Sequence, residues 1–150
     1  MKLATVGLAA AALIGATVVP LTIAAPASAA SCSGSQVDSI PVKRSGKTYG
    51  TLKLYWNGST GTNCARLDRV VDYGTKSGMI LQLWACAKGT PSTAACHRSS
   101  IHDEDSGQFG QYAGPVSVKG KGKCIVVQAG VADKNHNWAN YNSQKPFHCG

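Results

Sequence analysis

The sequence predicts an all-β fold, a small disulfide-stapled β-sandwich or barrel, on three observations. Short apolar runs alternate with polar residues and are punctuated by Gly, Ser, Thr and Asn, with 17 Gly among 150 residues. No stretch after residue 30 sustains the i, i+3, i+4, i+7 apolar spacing of an amphipathic helix. Six cysteines, Cys32, Cys64, Cys86, Cys96, Cys124 and Cys149, all follow an apolar leader, and an even count in that setting reads as a disulfide framework.

The leader comes first. Lys2 supplies a positive start, Leu3 to Ile23 carries no charge, and Ala27-Ser28-Ala29 places small residues where a signal peptidase cuts. Residues 1–29 are therefore expected to be a signal peptide cleaved before Ala30, with a cut before Ser31 nearly as good. The apolar run approaches the length of a spanning helix, but Pro20, Pro26 and the single flanking Lys favour cleavage. No second run of that length follows, so no membrane span is expected after cleavage. The remainder, 30–150, fits one secreted domain. Removing Lys2 leaves 14 basic residues against 7 acidic, a net charge of +7. A core of this size is adequate but not generous, and cross-links would help it.

Thr51 to Trp56 alternates, with Leu52, Leu54 and Trp56 on one face and Lys53 and Tyr55 on the other, which predicts a half-buried strand. Asn57-Gly58-Ser59-Thr60-Gly61 reads as a turn, and Cys64 to Val71 resumes the extended pattern, so a hairpin is expected. Met79 to Ala87 is apolar on both faces, as a central strand would be. A short helix is the alternative there, but Gly74, Gly78 and Gly89-Thr90-Pro91 bracket the run and favour a strand. Ser99 to His102, Phe109 to Tyr112, Pro115 to Lys119, Cys124 to Val131 and Asn137 to Tyr141 are further candidate strands; Ala30 to Val42 would serve an adaptor as an extended docking arm, with a very short free part if Cys32 is bonded.

Spacing suggests sequential cysteine pairing: Cys32 with Cys64, Cys86 with Cys96 across a Gly-Thr-Pro loop, and Cys124 with Cys149. Six cysteines allow 15 connectivities, so the alternatives stay open. No C-x-x-C occurs and no His pair has zinc-site spacing, so no metal and no cofactor is expected.

The acidic inventory is thin for catalysis: Glu104 is the only Glu, beside six Asp. The one dense polar group, His102-Asp103-Glu104-Asp105, has the residue types for a hard cation or a His/Glu acid–base pair. Neither an EF-hand spacing nor a second acidic cluster accompanies it, and it reads as a solvated turn before Gly107. A His-Asp pair also serves small secreted phospholipases A2, but on a helix, and these flanks are Ser- and Gly-rich. A basic secreted ribonuclease would need a Glu base, a His acid and a cationic electrophile. Glu104 with His97, His102, His136 or His148, and Arg66, Arg69 or Arg98, supplies the types without a spacing that selects among them. No Gly-x-Ser-x-Gly elbow is present. No catalytic residue is assigned, and a non-enzyme is expected.

Two binding candidates remain. Lys119, Lys121 and Lys123 alternate with Gly120 and Gly122 in a basic strip suited to an anionic polymer, nucleic acid or an acidic protein face, or simply to a solvated turn. The strip lacks interleaved aromatics, and a nucleic-acid partner is not expected. Trp138, among Asn135, Asn137, Asn140 and Tyr141, is the tryptophan most suited to partial exposure, whereas Trp56 and Trp84 read as core; an aromatic amid amides suits a sugar or a protein.

The stretches Tyr49-Gly50-Thr51-Leu52-Lys53-Leu54-Tyr55-Trp56-Asn57, Gly61-Thr62-Asn63-Cys64, Glu104-Asp105-Ser106-Gly107-Gln108-Phe109-Gly110-Gln111-Tyr112-Ala113-Gly114-Pro115-Val116, Gly122-Lys123-Cys124-Ile125 and Cys149-Gly150 run in order through the chain. Together they resemble the spore-associated protein A family of small secreted proteins from filamentous actinobacteria. The resemblance implies a β-rich protein at or outside the cell surface, with no established enzyme activity. It matches Cys32, Cys64, Cys124 and Cys149, and makes Cys86 and Cys96 look like an addition. By size, export and architecture the chain is also similar to the small disulfide-bonded adaptor of umbrella-shaped toxin particles. That resemblance implies an extracellular protein-interaction role between a lectin-bearing subunit and a repeat-bearing stalk protein. The other expectations are a small basic hydrolase, nuclease first, or a direct inhibitor or toxin.

Overall fold

The computed structural model describes residues 31–150; the expected signal peptide and its cleavage site before Ala30 lie outside the described residues. Eight strands form two four-stranded antiparallel sheets packed face to face as a disulfide-bonded β-sandwich. Sheet 1 has the order β1 (Ser35–Arg44), β2 (Lys47–Asn57), β3 (Thr62–Arg69), β6 (Tyr112–Lys119). Sheet 2 has the order β5 (His102–Phe109), β4 (Ser77–Ala87), β7 (Lys123–Ala132), β8 (Trp138–Asn142). The chain crosses between sheets after β3, after β5 and after β6.

Alternation decides which residues meet. Leu52, Leu54, Leu67 and Val116 from sheet 1 face Met79, Leu81, Leu83, Ile125, Val127 and Val131 from sheet 2, all essentially without solvent exposure. Each such side chain contributes roughly 1.5–3 kcal/mol by burial. The predicted hairpin is β2–β3, paired from Gly50↔Arg69 to Asn57↔Thr62. Its turn is held by the Asn57 carboxamide oxygen, which accepts from Ser59 N–H, Thr60 N–H and the Ser59 hydroxyl. The apolar run around Met79 is β4, flanked on both sides by β5 and β7. A second apolar cluster of Trp84, Cys86, Cys96, Cys124 and Val126 lies behind sheet 2, beneath the one-turn helix α1 (Thr93–Cys96).

Four expectations are corrected. The extended arm is absent as such: Cys32 is bonded to Cys64, and residues from Ser35 onward are edge strand β1, paired with β2 along its length. His102-Asp103-Glu104-Asp105 is the start of β5 rather than a turn. The strand expected over Phe109 to Tyr112 is interrupted: Phe109 ends β5, Tyr112 begins β6, and Gly110-Gln111 is the corner between them, where a Cβ on Gly110 would sit 2.9 Å from the Gly74 carbonyl oxygen. Ser99 to Ile101 is a connection, with only His102 in a strand; the Ser99 hydroxyl donates to Ala85 O to hold it down.

The sandwich edges are closed by polar latches. On one side, the half-buried faces of β5 carry Asp103 and Asp105, whose carboxylates accept from Ser117 N–H (2.7 Å) and Gly114 N–H (2.6 Å) on the edge of β6. Gly114 has a φ of +91° and leaves the sheet register at that point. On the other side, Arg44 donates to Trp138 O, and β1 carries two register shifts, Pro41, Lys43 and Arg44, which discourage a further strand from adding. Asp105→Ala is expected to cost about 1.5–3 kcal/mol in a urea titration, since it strips a charged acceptor from a partly buried N–H. Asp103→Ala should cost clearly less because Ser117 N–H reaches solvent; equal losses would contradict the latch.

The two ends of the sandwich are pinned by different chemistry. All three disulfides, Cys32–Cys64, Cys86–Cys96 and Cys124–Cys149, sit at the end where β3 and β7 begin and β4 finishes. The opposite end is held by a buried arginine. Arg69 is 3% exposed and donates to the carbonyls of Ala132 (2.8 Å), Ser77 (3.0 Å), Phe109 (3.2 Å) and Val71 (3.4 Å). Burial lowers its pKa and the Asp72 carboxylate partly offsets this; a guanidinium stays charged regardless.

Candidate functional site

The sequence candidates fall at opposite ends of the molecule. Lys119 closes β6 and Lys123 opens β7, with Gly120, Lys121 and Gly122 as the turn between. Gly120 N–H and Lys121 N–H donate to Gly61 O, and the Lys119 ammonium reaches Thr60 O and Thr62 Oγ1. The basic strip is thus a turn fastened to the β2–β3 turn. Trp138 starts β8 opposite Ala132, nine residues along β7 from Lys123, a separation of about 30 Å in a strand. The structure does not bring the strip and the tryptophan into one site.

Trp56 and Trp138 are partly exposed and Trp84 is buried, a correction to the expectation that Trp56 is core. Trp138 owes its position to glycine. A Cβ on Gly78 would lie 2.6 Å from the indole Cζ2, and one on Gly130 3.2 Å from Cζ3. The ring therefore covers bare backbone on the outer face of sheet 2. The rest of that face is amide-rich. Glu104, Gln82, Gln128 and Asn142 stand in one cross-strand row over all four strands, and Ser106, Ile80, Gly130 and Asn140 in the next. A cavity of about 200 Å³ opens there, lined by Ile80, Gln82, Gln128, Ala129, Gly130, Asn140 and Asn142. Beyond the first row, His102 stacks on Trp84 at 6.4 Å, and His97 covers Trp84 at 4.3 Å.

A surface missed by sequence reading lies at the arginine-pinned end. Tyr73 and Val70, in the β3–β4 crossover, are 66% and 51% exposed, more than any other large apolar side chain described. Their backbone is fixed. Val70 N–H and Val71 N–H donate to Tyr49 O, Gly74 N–H to Gly110 O, Thr75 N–H to Asp72 O, and Arg69 lies beneath. Asp72 accepts from Lys134 N–H, which ties the crossover to the β7–β8 loop. Asp133 orders that loop. Its partial burial raises the carboxyl pKa, but donors from Asn137, Asn135 and the Tyr49 hydroxyl outweigh this and hold it below the ordinary value. Nothing in the sequence distinguishes a Tyr on a pinned loop from one on a floppy one.

All seven carboxylates of the chain have a partner within the fold. Asp38 meets His148, Asp68 meets Lys53 and Arg66, Asp72 takes Lys134 N–H, and Asp103 and Asp105 latch β6. Asp133 holds its loop, and Glu104 accepts from the Gln82 carboxamide at 2.7 Å. Among the described residues no three His, Cys, Asp or Glu side chains gather as a metal site. Of the residues a nuclease would need, His102 shares the outer face of β5 with Glu104, whereas Arg69 is buried at the far end and Arg66 stacks on Tyr112 on sheet 1. No family model, curated protein or solved structure matches this chain.

Proposed function

We propose that the chain is a secreted, non-enzymatic protein-interaction module that acts as an adaptor among other extracellular proteins. The observation that carries this reading is the pair Tyr73 and Val70, exposed on a crossover whose backbone is fixed before any partner arrives. An aromatic anchor on a pre-organised loop loses little freedom on docking, and such residues dominate interface energetics. The closed edges favour docking through loops and faces over strand addition. The particular case suggested by the sequence resemblance is an antibacterial toxin particle, with a lectin-bearing subunit and a repeat-bearing stalk protein as partners.

Tyr73→Ala tests the reading. The side chain makes no hydrogen bond that the fold needs, so melting should stay within about 0.5 kcal/mol of the parent. Capture of a stoichiometric secreted partner from culture supernatant should fall about tenfold or more. Undiminished capture would remove the crossover from the interface. Release of nucleotides from RNA or DNA by the purified parent, lost in Glu104→Gln, would replace the adaptor reading with the nuclease.

A further inference from the structure

The outer face of sheet 2 differs chemically from the rest of this basic protein. The chain carries a net charge of +8, and the outer face of sheet 1 holds Lys53, Arg66 and Asp68 in an ion-paired group. The outward positions of sheet 2 carry no Lys or Arg: they are His102, Glu104, Ser106 and Gln108 on β5, Gly78, Ile80, Gln82 and Trp84 on β4, Val126, Gln128 and Gly130 on β7, and Trp138, Asn140 and Asn142 on β8. The one carboxylate, Glu104, is occupied by Gln82. An anionic polymer gains nothing from such a face, because phosphate or uronate recognition rests on cations. A neutral ligand rich in hydroxyl groups is the complement: carboxamides offer two donors and two acceptors each, and Gln82, Gln128 and Asn142 follow one another across their row at the roughly 4.8 Å spacing of adjacent strands.

The aromatic boundary adds the second half. The Trp138 indole lies on Gly78 and Gly130, and the Asn140 carboxamide oxygen leans on the same Gly130, 2.9 Å from where its Cβ would be. Indole and amide thus converge over one bare patch of backbone beside the 200 Å³ cavity. That volume is below the roughly 300–1,000 Å³ of drug-sized sites and suits one ring of a longer chain crossing an open groove.

We infer that this face is a binding groove for a neutral glycan, with Trp138 as the platform for a sugar ring and Gln82, Gln128, Asn140 and Asn142 as its hydroxyl partners.

The test uses the purified protein alone, on washed chitin, cellulose and insoluble β-1,3-glucan in about 1 M salt, where the Debye length is roughly 3 Å and charge-driven adsorption is suppressed. At least one of the three should retain the parent, and the matching soluble oligosaccharide should elute it. Trp138→Ala should weaken retention about tenfold or more. The double variant Gln128→Ala/Asn142→Ala, which touches no core residue, should weaken it similarly while melting like the parent. Failure of all three polysaccharides to retain the parent would overturn the inference, as would a double variant that is folded and still fully retained. Retention that disappears in high salt would assign the adsorption to the basic residues instead and equally overturn it.

Discussion

Arg69→Ala is expected to be among the most damaging single substitutions, lowering unfolding free energy by about 3 kcal/mol or more. The guanidinium, on a residue 3% exposed, joins the ends of β3, β5 and β7 and the start of β4 through four carbonyls, of which Ala132 O also accepts from the Ser77 hydroxyl. Truncation leaves a cavity and several unpaired acceptors at once. Each lost charge-assisted bond is worth about 1.5–3 kcal/mol, and the losses are not additive. Against a typical total of about 5–15 kcal/mol this is a large share. Arg69→Lys keeps the charge, but an ammonium has no planar fork with which to reach diverging carbonyls, so it should recover only part of the loss. Urea titration with an unchanged m value is the measurement. A loss below about 1 kcal/mol for Arg69→Ala would mean that the loop end is held by something else, and the pinned Tyr73 crossover would lose its physical basis.

The second large effect is expected from Cys32→Ala/Cys64→Ala. The bond spans 32 residues of sequence, the longest of the three separations, against 25 for Cys124–Cys149 and 10 for Cys86–Cys96. In the chain-entropy model, closing a loop of that length stabilises by about 3.5–4 kcal/mol, and the shortest by about 3. The double variant also frees the segment before β1, whose Gly34 passes against the Trp56 carbonyl too closely for any side chain. Edge strand β1 should therefore exchange its amide hydrogens faster while β4 and β7 stay protected. Loss of protection in the central strands first would contradict the assignment of this bond to the N-terminal edge.

Sequence reading succeeded where side-chain alternation is the whole cause of structure. Leu52, Leu54 and Trp56 could face one way only in a strand, and the two-faced apolar run at Met79 to Ala87 demanded covering on both sides. It failed where inward positions are not apolar. In β5 the inward residues are Asp103 and Asp105, aimed at backbone N–H groups of β6, so the alternation looks like an acidic cluster. In β1 the residue fully buried is Val42, and Pro41, Lys43 and Arg44 around it mask the pattern. Arg69 is indistinguishable in sequence from an exposed arginine, because two of its acceptors, Phe109 O and Ala132 O, come from strands 40 and 63 residues further along the chain. Part of the candidate surface was legible: Trp138 stood out for its Asn neighbours, although the glycines that seat it, Gly78 and Gly130, lie on two other strands. Tyr73 gave no signal, since its importance rests on the hydrogen bonds of the backbone beneath it.

The adaptor reading requires that the protein not be alone where it works. The direct measurement is the native mass of the protein, taken by size exclusion with light scattering on material affinity-purified from culture supernatant. Co-elution with at least one other secreted chain in fixed stoichiometry, disrupted by Tyr73→Ala, is the predicted result. Elution of the parent by itself at the mass of one chain would contradict it.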